Sequence, residues 1–283
     1  MKVTLVQPGS DFLLDGKSMP PLGILYLASW LRIRGGHDVS IIDLAGVSDW
    51  QAKIKEESAK LDCDWLGLTC TTPQYFQAKN IKDFLHSEGY SMPIICGGIH
   101  LTSDQHVNEL GFLNDGFDSY CIGEGYNAAT KMCEDVKNGE LKQMYAEPIL
   151  KDINSLPFAA RDLIDIKSYK YRLGDKPCTT FYSQAGCPYS CSYCESPLSG
   201  AFTVRAMTPV RIREEVLDIH YRHGIDAVMF FDDEMNLDQK RMLGICRELE
   251  WVKDRVAKDF AWRGFVVTAK FNEDLARACK SSG

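Results

Sequence analysis

Residues 2–44 read KVTLVQPGSDFLLDGKSMPPLGILYLASWLRIRGGHDVSIIDL. Lys2–Gln7 is a short β-branched run stopped by Pro8-Gly9, which predicts a strand. Residues 21–34 open on proline, repeat apolar side chains at three and four, and end at Gly35-Gly36, which predicts a helix. Asp38–Leu44 is apolar again and predicts a second strand. A strand, a helix and a strand within about 40 residues form the βαβ unit of a parallel sheet.

The alternation continues outward. Strands are expected at 64–69, 93–96 and 118–122, and helices at 49–60, 73–87, 103–110 and 124–137. Five strands, each followed by a helix, predict an α/β, doubly wound sheet of the flavodoxin or Rossmann kind over residues 1–144. In such sheets ligands bind beyond the carboxyl ends of the strands. Thr69–Thr72, Gly97-Gly98 and Gly123–Gly125 all fall there. Residues 145–176 lose the pattern and read as a linker. It resumes over 177–283, with strands at 179–184, 226–231 and 260–267 and helices at 209–223, 237–258 and 272–281. Three βα units predict a partial (βα) barrel.

The 283 residues carry 32 basic and 39 acidic side chains, a net charge of −7, which makes neither nucleic acid nor an anionic membrane the main partner. No apolar run reaches the length of a membrane span, and MKVTLVQPGS is too short in its apolar part for a secretory signal, so a cytoplasmic protein is expected. In that setting 11 cysteines point to metal or redox chemistry rather than a disulfide framework. Cys187, Cys191 and Cys194 form C-x3-C-x2-C in a loop just after a strand. Three thiolates in one short loop suit an iron–sulfur cluster. A structural zinc site is the alternative; it normally closes with a fourth nearby ligand, whereas the next cysteine is Cys246 and the nearest histidine His220.

That cysteine loop, after the first strand of a half barrel, resembles the radical S-adenosylmethionine superfamily. The resemblance implies a [4Fe-4S] cluster on Cys187, Cys191 and Cys194, with S-adenosylmethionine at the fourth iron and its cleavage to a 5′-deoxyadenosyl radical. It implies that Tyr193 lies near the adenine. It also places Phe231-Asp232-Asp233-Glu234 near the methionine amino group, with Asp232 and Asp233 as contacts; helix capping is their alternative role. Arg205 and Arg263 are further candidates for a carboxylate.

The first domain resembles the cobalamin-binding domain that precedes this barrel in one subclass. The matching runs are Pro20–Ala28, Gly36–Val39, Gly97–Thr102, Ile122–Gly125 and, in the linker, Leu156–Leu163. They imply cofactor contacts from Pro21, Leu22, Gly23, Gly97, Gly98, His100, Thr102, Gly123, Glu124 and Gly125. Glycine lets a backbone approach a flat corrin, and Thr69, Thr71, Thr72 and Ser103 can donate hydrogen bonds to it. Turn chemistry is the plainer account of the glycine pairs. No G-x-G-x-x-G follows the first strand, which argues against a nicotinamide site. The D-x-H-x-x-G of cobalamin mutases is absent as well, since Pro8–Leu13 holds no histidine and Asp104-Gln105-His106 follows the fourth strand.

Together these resemblances imply an enzyme that uses cobalamin, S-adenosylmethionine and a [4Fe-4S] cluster on a small-molecule substrate. Methyl transfer to an unactivated carbon is the commonest outcome, and an electron donor such as flavodoxin or ferredoxin is implied. Three barrel strands are about half of what that enzyme needs. The chain is therefore expected to be a fragment within the barrel, or to take the missing strands from a partner chain. Two readings stay open beside it: a non-catalytic cobalamin and cluster-binding module, and a zinc-stabilised ligand-binding protein.

Overall fold

The computed structural model describes residues 1–10, 12–13, 15–107, 110–194 and 202–283, with backbone only at 106–107. The chain divides into two compact units. The first comprises 1–17, 21–150 and 159–165; the second comprises 18–20, 151–158 and 166–283. The expected linker is thus shared out by local contacts. Asp162 takes both guanidinium arms of Arg32 at 2.7 and 3.0 Å in the first unit. In the second, Arg211 donates to the Leu156 carbonyl at 2.9 Å.

In the first unit, β1 (Lys2–Gln7), β2 (Asp38–Asp43), β3 (Trp65–Thr69), β4 (Ile94–Gly97), β5 (Ser119–Cys121) and β6 (Met144–Tyr145) form one parallel sheet in the order 2-1-3-4-5-6. β1 is buried from Val3 to Val6, as a central strand covered on both faces must be. The helices are α1 (Leu22–Ile33), α2 (Trp50–Glu56), α3 (Thr72–Ser87), α4 (Ile99–Val107) and α5 (Gly125–Asn138). The sixth strand is an addition to the five expected. It is only two residues long, and its Tyr145 is buried and donates to Asp135 Oδ2 at 2.8 Å. The helix expected at 103–110 starts earlier, at Ile99, because Gly98 turns the chain straight from β4 into α4; residues 108–109 lie outside the described ones. The order reverses between β1 and β3, which places the topological crevice at their carboxyl ends.

In the second unit, the β7 (Arg172–Leu173) and β8 (Lys176–Pro177) hairpin precedes β9 (Thr179–Phe181). Then come β10 (Gln184–Ala185), β11 (Arg205–Ala206), α6 (Pro209–Asp218), β12 (Ala227–Phe230), α7 (Gln239–Arg255), β13 (Ala261–Arg263) and α8 (Glu273–Ser282). β9, β12 and β13 form the three-stranded parallel sheet of the expected βα units, with β12 central and fully buried. Phe181 and Phe230 pack across it with ring centroids 4.6 Å apart. Each following helix is capped by a side-chain oxygen: Thr208, Asp238 and Asn272 accept from the third backbone N–H onward.

β13 stops at Arg263, short of the expected 260–267. Gly264 sits against Met235, leaving no room for a Cβ. The buried Asn236 then takes over both backbone groups of Val267, donating to its carbonyl at 2.9 Å and accepting its N–H at 2.8 Å. A side-chain amide here replaces a neighbouring strand. An Asn236→Ala change strands both groups and is expected to cost about 2 kcal/mol, read as a lower urea midpoint with unchanged slope.

Candidate functional site

At the crevice of the first unit, side chains of α3 tie the strand ends together. Gln74 donates from Nε2 to the Pro8 carbonyl at 2.9 Å, while its Oε1 accepts the Thr71 N–H at 3.1 Å and Oγ1–H at 3.0 Å, closing a capping box. Thr71 and Thr72 are exposed and Thr69 is half-buried. His100 Nδ1 lies 3.2 Å from Thr72 Oγ1, and its ring packs on Tyr75 at 4.1 Å between centroids. Tyr75 in turn donates to Asp115 at 2.5 Å; burial first, then that carboxylate, keeps its hydroxyl protonated well above the usual range.

The glycines divide by role. Gly98 adopts φ +111°, and a Cβ there would stand 2.6 Å from the Cys70 nitrogen, so its close approach is to the neighbouring strand end. Gly97 faces Cys121 in the same way, with 3.3 Å from an added Cβ to the Cys121 Cβ. Gly123 has φ +79° with open space around it, which is turn chemistry on an exposed edge. Thr102 is buried; it accepts the Gly123 N–H at 2.9 Å and so joins the β4 and β5 loops. Glu124 accepts the Leu150 N–H at 2.5 Å, and Gly125 opens α5 against Leu27. Pro21, Leu22 and Gly23 form the start of α1, where Gly23 is exposed with nothing within 4 Å of an added Cβ.

Sequence reading missed the apolar part of this crevice. Phe12, Phe76 and Ile99 are 77, 71 and 42% exposed: Phe12 in the loop after β1, Ile99 at the start of α4 and Phe76 in the second turn of α3. Ser10, directly after β1, has a buried Oγ without a hydrogen-bond partner. Exposed apolar faces beside an unsatisfied hydroxyl and exposed threonines fit a large, flat, partly polar ligand such as a corrin. The available signal was that Phe76 and Ile99 stand within the first two turns of helices leaving the crevice. Asp11, in the loop after β1, lies outside the described residues, as does the His106 side chain.

In the second unit, β10 and β11 pair antiparallel, Gln184 with Ala206 and Ala185 with Arg205, so that the cysteine loop leaves and returns through one stem. Gly186 makes the exit at φ +91°. Cys187 and Cys194 are half-buried and Cys191 is exposed; the Cys194 N–H bonds the Cys191 carbonyl at 3.0 Å. Burial pushes the Cys187 thiol up, with further contributions from Asp233 and Glu234. Tyr193 is 91% exposed, with its ring free for a planar partner. Among the described residues, no three His, Cys, Asp or Glu side chains converge at metal-binding distance. The loop therefore supplies three thiols without a preformed cage, as is usual for sites that assemble around their metal. A three-thiol loop with one exposed member fits a cluster with an open iron.

The acids after β12 separate into two kinds. Asp232 is buried and accepts three hydrogen bonds: Ser183 N–H at 2.6 Å, Ser183 Oγ–H at 2.5 Å and Gln184 N–H at 3.1 Å. Burial pushes its carboxyl up, against the pull of those donors and Arg241. Asp233 is exposed, and Glu234 is half-buried with an unpartnered Oε2; burial raises both. Arg205 stands in the stem, and Arg263 donates to the Tyr171 hydroxyl at 2.9 Å.

The B12 binding domain family matches residues 15–132. This stretch is similar to a B12-binding domain. An uncharacterized methyltransferase of Pyrococcus horikoshii, PH0819, is 26% identical over 100% of this chain and 63% of its own length. The anaerobic magnesium-protoporphyrin IX monomethyl ester cyclase of Rubrivivax gelatinosus is 22% identical over 81% of this chain and 44% of its own. The radical S-adenosylmethionine methyltransferase TsrM of Kitasatospora setae, solved with cobalamin and a [4Fe-4S] cluster, shares the fold at TM-score 0.75 and 15% identity. It matches 100% of this chain and 57% of TsrM, so the chain spans about half to two thirds of these relatives.

Every crevice residue from Pro21 to Gly125 lies inside the matched stretch, and the cysteine loop lies beyond it. No helix among the described residues is long and apolar enough to cross a membrane.

Proposed function

We propose that this chain is part of a cobalamin-dependent enzyme that cleaves S-adenosylmethionine reductively, most simply to methylate an unactivated carbon of a small molecule. The observation that supports it best is the order of parts: a B12-binding domain, then a C-x3-C-x2-C loop leaving the first strand of a parallel sheet. When bound, the cluster supplies the electron that splits the sulfonium, and cobalamin supplies the methyl carrier. The protein holds and orients. Cys187, Cys191 and Cys194 are the cluster ligands in this reading, and Tyr193 offers its exposed ring to the adenine. Asp233 and Glu234, whose charges act on the Cys187 thiol, suit the ammonium group of S-adenosylmethionine. In the crevice, Thr69, Thr71, Thr72 and Ser10 offer hydroxyls, with Phe76 and Ile99 as apolar contacts. Electrons come from a small donor such as flavodoxin or ferredoxin in a reducing cytoplasm.

Anaerobic reconstitution with iron and sulfide, then addition of cobalamin, S-adenosylmethionine and reductant, tests this reading. Iron, bound cobalamin and released 5′-deoxyadenosine are the expected results. Wild-type protein without iron would sink the cluster assignment. Iron and cobalamin without 5′-deoxyadenosine would favour the non-catalytic binding module.

Gly23→Ala probes the corrin contact separately. A methyl group at this open helical position stabilises the fold by about 0.5–1 kcal/mol. If the corrin lies over the start of α1, the same change weakens cobalamin retention about tenfold, equivalent to about 1.4 kcal/mol. Higher stability with unchanged cobalamin affinity moves the cofactor away from Gly23.

A further inference from the structure

We propose that Asp232 and Arg241 are positioning residues that clamp the stem of the cysteine loop and set where Cys187 stands. The clamp itself is in the apo fold; its consequence for iron rests on the cluster reading above. The cysteine-bearing segment follows β10 and precedes β11, which pair as a ladder of two residue pairs. Such a short ladder is a weak base for a long excursion, because closing a loop costs chain entropy that two backbone pairs hardly offset.

The structure reinforces both arms from behind. Asp232 holds the outgoing arm by the Ser183 and Gln184 N–H groups and the Ser183 hydroxyl. Arg241 bridges the two arms: Nη2 donates to the Ser183 carbonyl at 2.7 Å and to Ser183 Oγ at 2.8 Å, and Nε donates to the Met207 carbonyl at 3.0 Å. The Met207 N–H closes the set on the Ser183 carbonyl at 2.8 Å. Ser183 is fully buried between the two charges. Each charged group is anchored in turn. Asp232 follows β12, whose chain is bonded on to β9 by Phe231 N–H to the Phe181 carbonyl at 2.9 Å. Arg241 is in the first turn of α7, and its N–H is taken by the Asp238 cap at 3.0 Å.

A buried acid and guanidinium are expensive to desolvate, and these two contact the stem rather than the sheet core. With three donors on its two oxygens, Asp232 has its strongest acceptor directions filled from within the protein. This differs from the direct ligand contact expected from sequence. The ligand-facing acids are Asp233 and Glu234.

Amide hydrogen exchange on the apo protein tests the clamp, because the Ser183, Gln184 and Met207 amides are its own donors. Asp232→Ala and Arg241→Met are expected to lower protection at those three amides about tenfold or more, while α5 and the interior of β12 keep theirs. After reconstitution, iron per chain falls to less than about half in both variants. Asp232→Asn keeps an acceptor for both N–H groups and retains most of the iron. If the alanine variant does not fold, Ser183→Ala replaces it, since it removes only the hydroxyl between the two charges. Wild-type protection of the stem in Asp232→Ala and Arg241→Met overturns the proposal. So does iron loss with an intact stem, or loss of S-adenosylmethionine affinity in Asp232→Asn with stem and iron intact, since both indicate direct contact. If wild-type protein takes up no iron, the cluster reading fails while the exchange data still decide the clamp.

Discussion

Changing Cys191 to alanine is expected to abolish the iron–sulfur chromophore while leaving the apo protein as stable as before. Cys191 is exposed and its side chain packs into no core, so its removal should shift stability by less than about 0.5 kcal/mol. Loss of iron can then be assigned to ligation rather than to folding. Iron per chain should fall from about four to below about one, with loss of the visible absorption. Cys178→Ala is the matching control. Cys178 is buried, and burial pushes its thiol up to about 12, so it behaves as a small hydrophobe. That change should cost stability, about 1 kcal/mol or more, with the full iron content kept. Equal iron in wild type and Cys191→Ala would remove the basis of the proposed function.

Gly98→Ala should destabilise the first unit by about 3 kcal/mol or more. Two costs add: a left-handed backbone conformation that alanine rarely adopts, and a Cβ driven against the backbone of Cys70. The surroundings cannot yield easily. Cys70 donates its N–H to the Gly97 carbonyl at 2.9 Å, and its carbonyl accepts the His100 N–H at 3.3 Å, so the ends of β3 and β4 are locked together. Urea unfolding followed by a probe in each unit, such as Trp65 against Trp262, should show the loss in the first unit alone. Cobalamin retention should fall with it, because Thr71, Thr72 and His100 all hang from this junction. An unchanged midpoint would mean that the junction relaxes, and Gly98 would return to the group of glycines defined by solvent-facing turns.

Both changes probe features that differ in how readable they were. The three cysteines are legible because ligand spacing within one loop is a local property. The parallel strands are legible for a similar reason: a strand covered on both faces must be largely apolar, as Val3–Val6, broken only by Thr4, and Ala227–Phe230 are. Gly98 was legible as a turn, but not as the contact with Cys70, since that depends on which strand lies next to β4. The end of β13 was illegible because Asn236, far from Val267 in sequence, supplies the hydrogen bonds that end it. Of the cysteines outside the loop, Cys63, Cys121 and Cys279 are half-buried and the others buried; the Cys279 sulfur lies 4.0 Å from that of Cys246, a proximity set by the packing of α8 on α7.

The acids after β12 show where the division lies. Sequence alone determined that an apolar strand runs to about Phe230 and that carboxylates follow it, because apolar runs and chain order are written in neighbouring residues. It also determined the alternation of strand and helix and the presence of three thiols in one loop. Only the tertiary structure decided that Asp232 turns inward to Ser183 while Asp233 stays exposed. Whether a carboxylate is free for a ligand depends on which donors other segments bring within reach of its oxygens, and those donors, Ser183 and Gln184 from the chain just after β9, meet it only when the chain folds.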